Sequence, residues 1–410
     1  MTTAPTAPRP TASPVRLWDR QFTLFFTART VSLFGDAMMP VAAALAVGAL
    51  YGVSGVGLVL GTWTGTFVLL VLVGGVLADR FGARRMMVGA DLVRVLTQGV
   101  LAAAFLAGPP PLWLLLAMAS LAGAAVAMFL PGVNGMVPLV TRDPQRANAT
   151  LKVADALAQL LGPALAGLLI TLAAAGTVYA VDAATFLLSA LCLALLRLSD
   201  SRATGGSSLR RELRQGWHEF RARAWMWSVI LIWIGFGMLV FGPLVPLGSA
   251  VIGSRLGPDA YGLAVSSLGL GTVLGGVLAL RVRPSRPLAA GAAAMALYTA
   301  LPLSAALAHG LPALLAGHLL GGAGLAFWSV MWATTVQTHT PPAVLNRVSA
   351  YELAGSIAGI TLGQLLVGPA TALASPRHLL LLSTAAALTG SAALLAVPAI
   401  RTLRRTARPS

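Results

Sequence analysis

Apolar residues in this chain neither alternate nor keep to one face of a helix. They run on for about 20 positions, stop at a short polar break, and resume, which is the length an α-helix needs to cross the hydrocarbon of a bilayer. Twelve such runs are read, near 20–47, 54–79, 84–107, 111–139, 150–174, 177–198, 225–250, 261–280, 288–308, 311–338, 348–374 and 377–400. The longest break, 199–224, is polar, basic and Gly/Ser-containing. The predicted fold is an all-α polytopic membrane protein with twelve transmembrane helices in two six-helix bundles. Its expected parts are a disordered tail (1–19), a first bundle (20–198), a cytoplasmic linker (199–224), a second bundle (225–400) and a second tail (401–410).

Composition narrows this further. The 410 residues are 57% hydrophobic and 10% charged, where soluble domains carry roughly 25% charged residues. A soluble enzyme and a nucleic-acid-binding module are therefore excluded as classes. The net charge of +16 needs no nucleic acid, because of where the charge sits. With both termini in the cytoplasm, 24 of the 28 basic residues fall at cytoplasmic breaks and tails. Arg29 and Arg94 lie within spans, and Arg255 and Arg377 fall outside. That asymmetry is the positive-inside rule. Residues 1–17 have no apolar centre and do not read as a signal peptide. The single cysteine, Cys192, allows neither an internal disulfide nor a cysteine metal site.

A repeat divides the chain at the same place. Gly74-Gly75-Val76-Leu77-Ala78 ends the second run and Gly275-Gly276-Val277-Leu278-Ala279 ends the eighth, 201 residues later. The same offset relates Arg146 to Arg347, Gly162 to Gly363 and Gly167 to Gly368. Parallel repeats of this kind occur in transporters that hold a site between their halves.

Covalent chemistry finds no support. The only lysine, Lys152, is not preceded by a phosphate-binding glycine loop, and no H-E-x-x-H occurs. No enzyme activity, cofactor or metal is expected. An ionisable residue inside a span is a functional candidate by default. Asp36 is near the middle of the first span, with Gly35 beside it and Pro40 four residues on, a pair expected to loosen the helix. It is the expected proton-coupling residue. Asp91, Asp155 and Glu352 read as lying nearer the cytoplasm, and Asp182 nearer the outer end as an interface anchor. Asp91 and Arg94 are spaced to pair with each other on one helix face. Arg29 could bind an anionic group or snorkel to the surface.

The segment Gly75-Val76-Leu77-Ala78-Asp79-Arg80-Phe81-Gly82-Ala83-Arg84-Arg85 resembles the loop between spans two and three of the major facilitator superfamily. Ser32 to Asp36, Asp91 to Arg94, Arg146 to Ala149 and Asp182 to Phe186 resemble its bacterial efflux branch, the enterobactin- and macrolide-exporter-like secretion effectors. Gly162 and Pro163 remain of a glycine-rich fifth-span motif found in drug–proton antiporters. The resemblance implies that Gly75, Asp79, Arg80, Gly82, Arg84 and Arg85 latch the halves against the start of span eleven around Arg347, with Glu352 close by. Asp91, Arg94, Gly162 and Pro163 join them as gating residues. It also implies a cavity lined by spans one, four, seven and ten, with two, five, eight and eleven beside them, and Trp63, Asn134, Phe236, Met238, Trp328, Trp332 and Gln337 as candidates beside Arg29.

The expected function is proton-coupled export of an amphipathic small molecule, such as a drug, siderophore or secondary metabolite, by alternating access. The expected partners are that substrate, protons and the lipid of a bacterial plasma membrane, with no nucleic acid and a monomeric state. Nutrient uptake, or a non-transporting receptor, are the alternatives.

Overall fold

A computed structural model of the chain describes residues 18–141, 143–197, 221, 224–339 and 342–404. They are helical, with no strand among them. The expected tails and linker fall almost wholly outside these residues.

The first helical stretch, Arg20–Phe81, is 62 residues long, about twice what a bilayer requires. Gly52 divides it. Its φ of 61° and ψ of −163° lie outside the helical region, and only a residue without Cβ takes such a φ at no steric cost. The two arms are α1 (20–51) and α2 (53–81). The other spans are α3 (Ala83–Ala107), α4 (Leu112–Val140), α5 (Pro144–Leu172), α6 (Ala175–Ala194), α7 (224–256), α8 (Pro258–Arg281), α9 (287–307), α10 (Leu311–His339), α11 (Pro342–Leu373) and α12 (Pro376–Ala396). Among the described residues, eleven helices are long and apolar enough to cross a membrane, the first being counted undivided. Its two arms make twelve.

Side-chain and proline chemistry sets the ends. The Phe22 N–H donates to Asp19 Oδ1 at 2.8 Å and so caps α1, and Asp143 accepts from the Arg146 N–H at 3.1 Å to cap α5. Proline begins α8, α9 and α12, where its missing N–H costs nothing. A single residue, Gly82, joins α2 to α3 at φ 89°.

Without water, helices in a bilayer associate through close packing of small residues. The residues related by the 201 offset make the same helix–helix contacts in both halves. A Cβ on Gly74 would overlap the Ala127 carbonyl of α4, and one on Gly275 the Ala323 carbonyl of α10. Gly162 abuts Ala37 of α1, and Gly363 abuts Met238 of α7, itself 201 residues beyond Ala37. Gly275→Ala is therefore expected to lower the stability of the protein by about 1–3 kcal/mol through overpacking against backbone. Gly276→Ala, whose Cβ would meet nothing within 4 Å, is expected to be neutral. Thermal unfolding of the two purified variants in one detergent checks this; equal midpoints would remove the packing role.

The halves meet chiefly away from the face that carries the termini. One buried apolar cluster spans both, joining Val41, Val47 and Val56 to Leu247, Ile252, Tyr261 and Val367. It lies where α1 ends and α2 begins. Toward the terminal face, the clusters around Phe25, Phe129 and Leu193 and around Met226, Trp328 and Leu394 each stay within one half. Gly57 and Gly61 of α2 lie against α11 at Gln364 and Leu365, and Gly167 of α5 lies against Gly262 of α8.

Candidate functional site

Arg94, on α3, is 2% exposed. Its guanidinium carbon lies 4.6 Å from the ring centroid of Phe129 on α4 and 4.8 Å from that of Phe186 on α6. Both rings offer their negative faces to the cation, which leaves its edge for polar contacts. Nη1 is 3.6 Å from Asp36 Oδ2 and 3.6 Å from Asp91 Oδ1, and donates to Ser32 Oγ at 3.4 Å. Tight charge-assisted bonds are about 2.7–2.9 Å. One nitrogen is thus shared loosely between two carboxylates and committed to neither.

The carboxylates differ in what else holds them. Asp91 is fully buried, and Ser189 Oγ of α6 donates to its Oδ2 at 2.6 Å. Asp36 is 36% exposed and accepts no hydrogen bond among the described residues. A third carboxyl, Asp182 of α6, is fully buried. It packs on Gly35, where a Cβ would overlap both its Oδ1 and the Thr185 hydroxyl. Thr185 Oγ1 is 3.3 Å from Asp182 Oδ1, while Oδ2 has no partner.

Two expectations are corrected here, the anchor role of Asp182 and the interruption at Gly35 and Pro40. Asp91 is eight residues into α3 and Asp182 seven into α6, about 10–12 Å from the helix ends at 1.5 Å per residue. Each is nearer the helix end expected of it, but both reach the layer of Asp36, and the fully buried Asp182 is not an interface anchor. Asp91 and Arg94 pair as their spacing predicts, at 3.6 Å, and Asp36 shares the same nitrogen. Gly35 and Pro40 do not interrupt the helix, since between Arg20 and Phe81 only Gly52 leaves helical φ/ψ. The absent side chain of Gly35 makes room for Asp182.

Asp36 and Arg94 face a cavity of about 480 Å³. Met39 and Pro40 of α1, Trp63 and Thr64 of α2, Gln98 of α3, Met118 of α4, and Tyr179 and Phe186 of α6 form most of its wall. The other half contributes Phe241 and Val245 of α7 and Ile360 and Gln364 of α11. A mostly apolar pocket with a few polar groups suits a small organic molecule. It can hold such a molecule beside a titratable group, Asp36.

The Major Facilitator Superfamily profile matches residues 25–361. This chain belongs to the major facilitator superfamily. It is a multi-pass membrane protein of a family of transporters. Macrolide efflux protein A of Streptococcus pyogenes is 21% identical over 211 residues, 50% of this chain and 52% of that protein. The chain thus spans about half the length of the curated relatives it matches there. Among solved structures, the nucleoside transporter NupG superposes with a TM-score of 0.76 at 11% identity, covering 94% of this chain and 100% of that one. A POT family transporter gives 0.70 at 12% identity, covering 92% and 95%. At such identities the likeness is one of fold.

Within this facilitator fold the cavity is not shared evenly by the halves. α3 and α6 line it, and no described side chain of α10 does. Trp63 is on the wall, but Phe236, Trp328 and Trp332 are core residues of the second bundle. Trp328 stacks on Trp332 with centroids 6.0 Å apart and 15° between planes, and Trp233 packs on Trp328 at 6.0 Å. Their shared face points into that stack instead of the cavity. Met238 is half-buried and lies off the wall, its backbone against Gly363. Arg29 is also off the wall, 5.7 Å from the Phe129 centroid.

The connector residues divide. Arg84 donates to the Leu193 carbonyl at 3.1 Å and the Ala194 carbonyl at 2.5 Å. It closes the end of α6 within its own half and does not bridge to the other. Gly162 and Pro163 sit where α5 meets α1 and α8, inside a helix that continues to Leu172. Arg85 is exposed at the start of α3. Gly75, Asp79, Arg80, Asn134, Gln337, Arg347 and Glu352 lie on described helices, but their side chains and surroundings lie outside the described set. Gln98 and Gln364 were not among the expected lining residues. Their signal was available: each is an amide within an apolar span, and such residues face the interior of a bundle.

Proposed function

We propose that this facilitator is a proton-coupled exporter of an amphipathic small molecule. It resides as a monomer in a bacterial plasma membrane with both termini in the cytoplasm. One observation carries this reading: of three carboxyls around Arg94, only Asp36 opens onto the cavity. A proton or a substrate group can reach it, whereas Asp91 and Asp182 are sealed. When Asp36 is ionised it holds the edge of Arg94 toward the cavity. When it takes a proton that attraction is lost, and Arg94 turns to Asp91, which Ser189 keeps in place. Substrate and proton compete for the same group, and that competition ties export to proton entry. The seam on the outer face and the separated clusters on the cytoplasmic face fit a cavity loaded from the cytoplasm. Export rather than uptake is supported by the similarity to a macrolide efflux protein.

The connector from Gly75 to Arg85 is proposed to latch against the start of α11, near Arg347 and Glu352, when the cytoplasmic side closes. Asp79→Asn is expected to slow turnover several-fold and leave substrate binding intact; unchanged turnover would remove the latch.

Everted membrane vesicles with an acidified lumen test the whole reading. They should accumulate erythromycin or a smaller amphipathic dye against its gradient, and nigericin should abolish the accumulation. Equilibration that ignores the pH gradient would eliminate proton coupling, and counterflow favouring the opposite direction would make the protein an importer.

A further inference from the structure

Two amides face the cavity from opposite halves. Gln98 stands one helical turn beyond Arg94 on α3, and Gln364 is on α11. Each is 8% exposed, and each has an amide oxygen with no hydrogen-bond partner. A buried polar atom left unpaired is costly, and native proteins keep few of them without a reason. Here the same shortfall occurs twice, on two walls of one cavity, among mostly apolar neighbours such as Leu60, Leu101, Met118 and Ile360.

We infer that Gln98 and Gln364 form a two-sided amide clamp for a neutral hydrogen-bonding group of the substrate, an amide or hydroxyl carried on a compact aromatic body. This rests on the transport reading above and names its substrate class. Trp63 and Phe241, both partly exposed, supply the flat apolar walls such a body needs. The volume of about 480 Å³ lies in the lower part of the ~300–1,000 Å³ range of small-molecule pockets. A large macrocycle is therefore a poorer fit than a single-ring or two-ring compound.

The clamp also depends on which face is closed. The α2 glycines hold α11 in place at the cavity wall, since a Cβ on Gly57 would overlap the Gln364 carbonyl and one on Gly61 would overlap Leu365. Parting α2 from α11 to open the outer side withdraws Gln364 and Ile360 from the cavity. The substrate then loses one arm of the clamp and is held less tightly. Affinity that is high when the outer side is shut and low when it opens is what directs a ligand outward.

Equilibrium binding to the full-length protein in nanodiscs, without any gradient, tests the clamp. The probe is chloramphenicol, an aryl ring bearing one amide and two hydroxyls; the comparison is its deacylated amine, which lacks the amide. The wild type is expected to prefer the amide at least tenfold. Gln98→Leu and Gln364→Leu should each weaken chloramphenicol binding about tenfold and leave the amine within twofold. Both variants should unfold at the same temperature as the wild type or higher, because an unpaired polar group has been removed. A structural role predicts the reverse, with lower stability and both probes affected alike. Gln364→Asn, which keeps the amide but draws it back, should weaken binding less than Gln364→Leu. No chloramphenicol binding by the wild type, no preference over the amine, or an unchanged preference in both leucine variants overturns the clamp. Proton coupling is read separately in vesicles, so loss of either reading leaves the other standing.

Discussion

Arg94→Met is expected to cost the protein about 3–5 kcal/mol, the usual penalty for removing one partner of a buried ion pair. That is a large share of the ~5–15 kcal/mol that holds a domain folded, so most of the expressed variant should be lost to aggregation in mild detergent. Methionine fills the slot between Phe129 and Phe186, so the loss is not one of volume. It comes from Asp91, fully buried, whose remaining partner would be the Ser189 hydroxyl. The double variant Arg94→Met with Asp91→Asn should recover much of the stability, since a neutral amide can stay beside Ser189. Arg94→Lys should fall between them, keeping the charge but not the planar group that stacks between two rings. Thermal unfolding followed by size-exclusion chromatography ranks the four proteins. Should the single variant be as stable as the wild type, the charge of Arg94 would not be what keeps the buried Asp91 carboxylate in place beside Ser189.

Spans, halves and the repeat are legible in sequence because each depends on local chemistry. A run of about 20 apolar residues is a span whatever it packs against, and basic residues mark the cytoplasmic ends of spans. The meaning of the 201 offset was only half legible. The paired glycines could be counted, but that Gly74 meets α4 as Gly275 meets α10 is a fact of packing. The site was read least well. Asp36 stood out by depth on its own helix. Asp91 and Asp182 did not, because each lies nearer one end of its helix, and only packing brings its side chain to the layer of Asp36. Nothing in α1, α3 and α6 taken singly shows that all three turn a carboxyl to one layer. Trp328 and Trp332 failed for a related reason. Spacing puts both on one helix face, but the face could have turned to the cavity or to the bundle core, and the partners Trp233 and Phe236 decide for the core. Gly35 and Pro40 misled because both residues can weaken a helix, while packed neighbours here keep it regular.

Asp36→Asn is expected to uncouple the protein without unfolding it. The two effects separate because Asp36 and Asp91 share Arg94 but not its burial. With Asp36 neutral, Arg94 keeps Asp91 as its counter-charge, so no buried ion is left alone. The lost contact is partly exposed at 36%, and such pairs contribute about 0–1 kcal/mol. Function has no such reserve. With one proton exchanged per substrate, a gradient of one pH unit can sustain about a tenfold concentration ratio, since a factor of ten corresponds to ~1.4 kcal/mol. An asparagine takes up no proton in this range, so the variant should only equilibrate its substrate, at a ratio of about one. Asp36→Glu keeps a titratable group with a longer reach and should retain part of the wild-type ratio. Asp91→Asn makes the opposite change. It leaves Asp36 as the main partner of Arg94, so transport should slow while its dependence on the pH gradient survives. Accumulation ratios in everted vesicles, measured with and without nigericin, distinguish the three variants. If Asp36→Asn still builds the tenfold ratio, the proton travels by another carboxyl. Asp182 is then the next to replace, because it lies against Gly35 in the same layer and no cation pairs with it among the described residues.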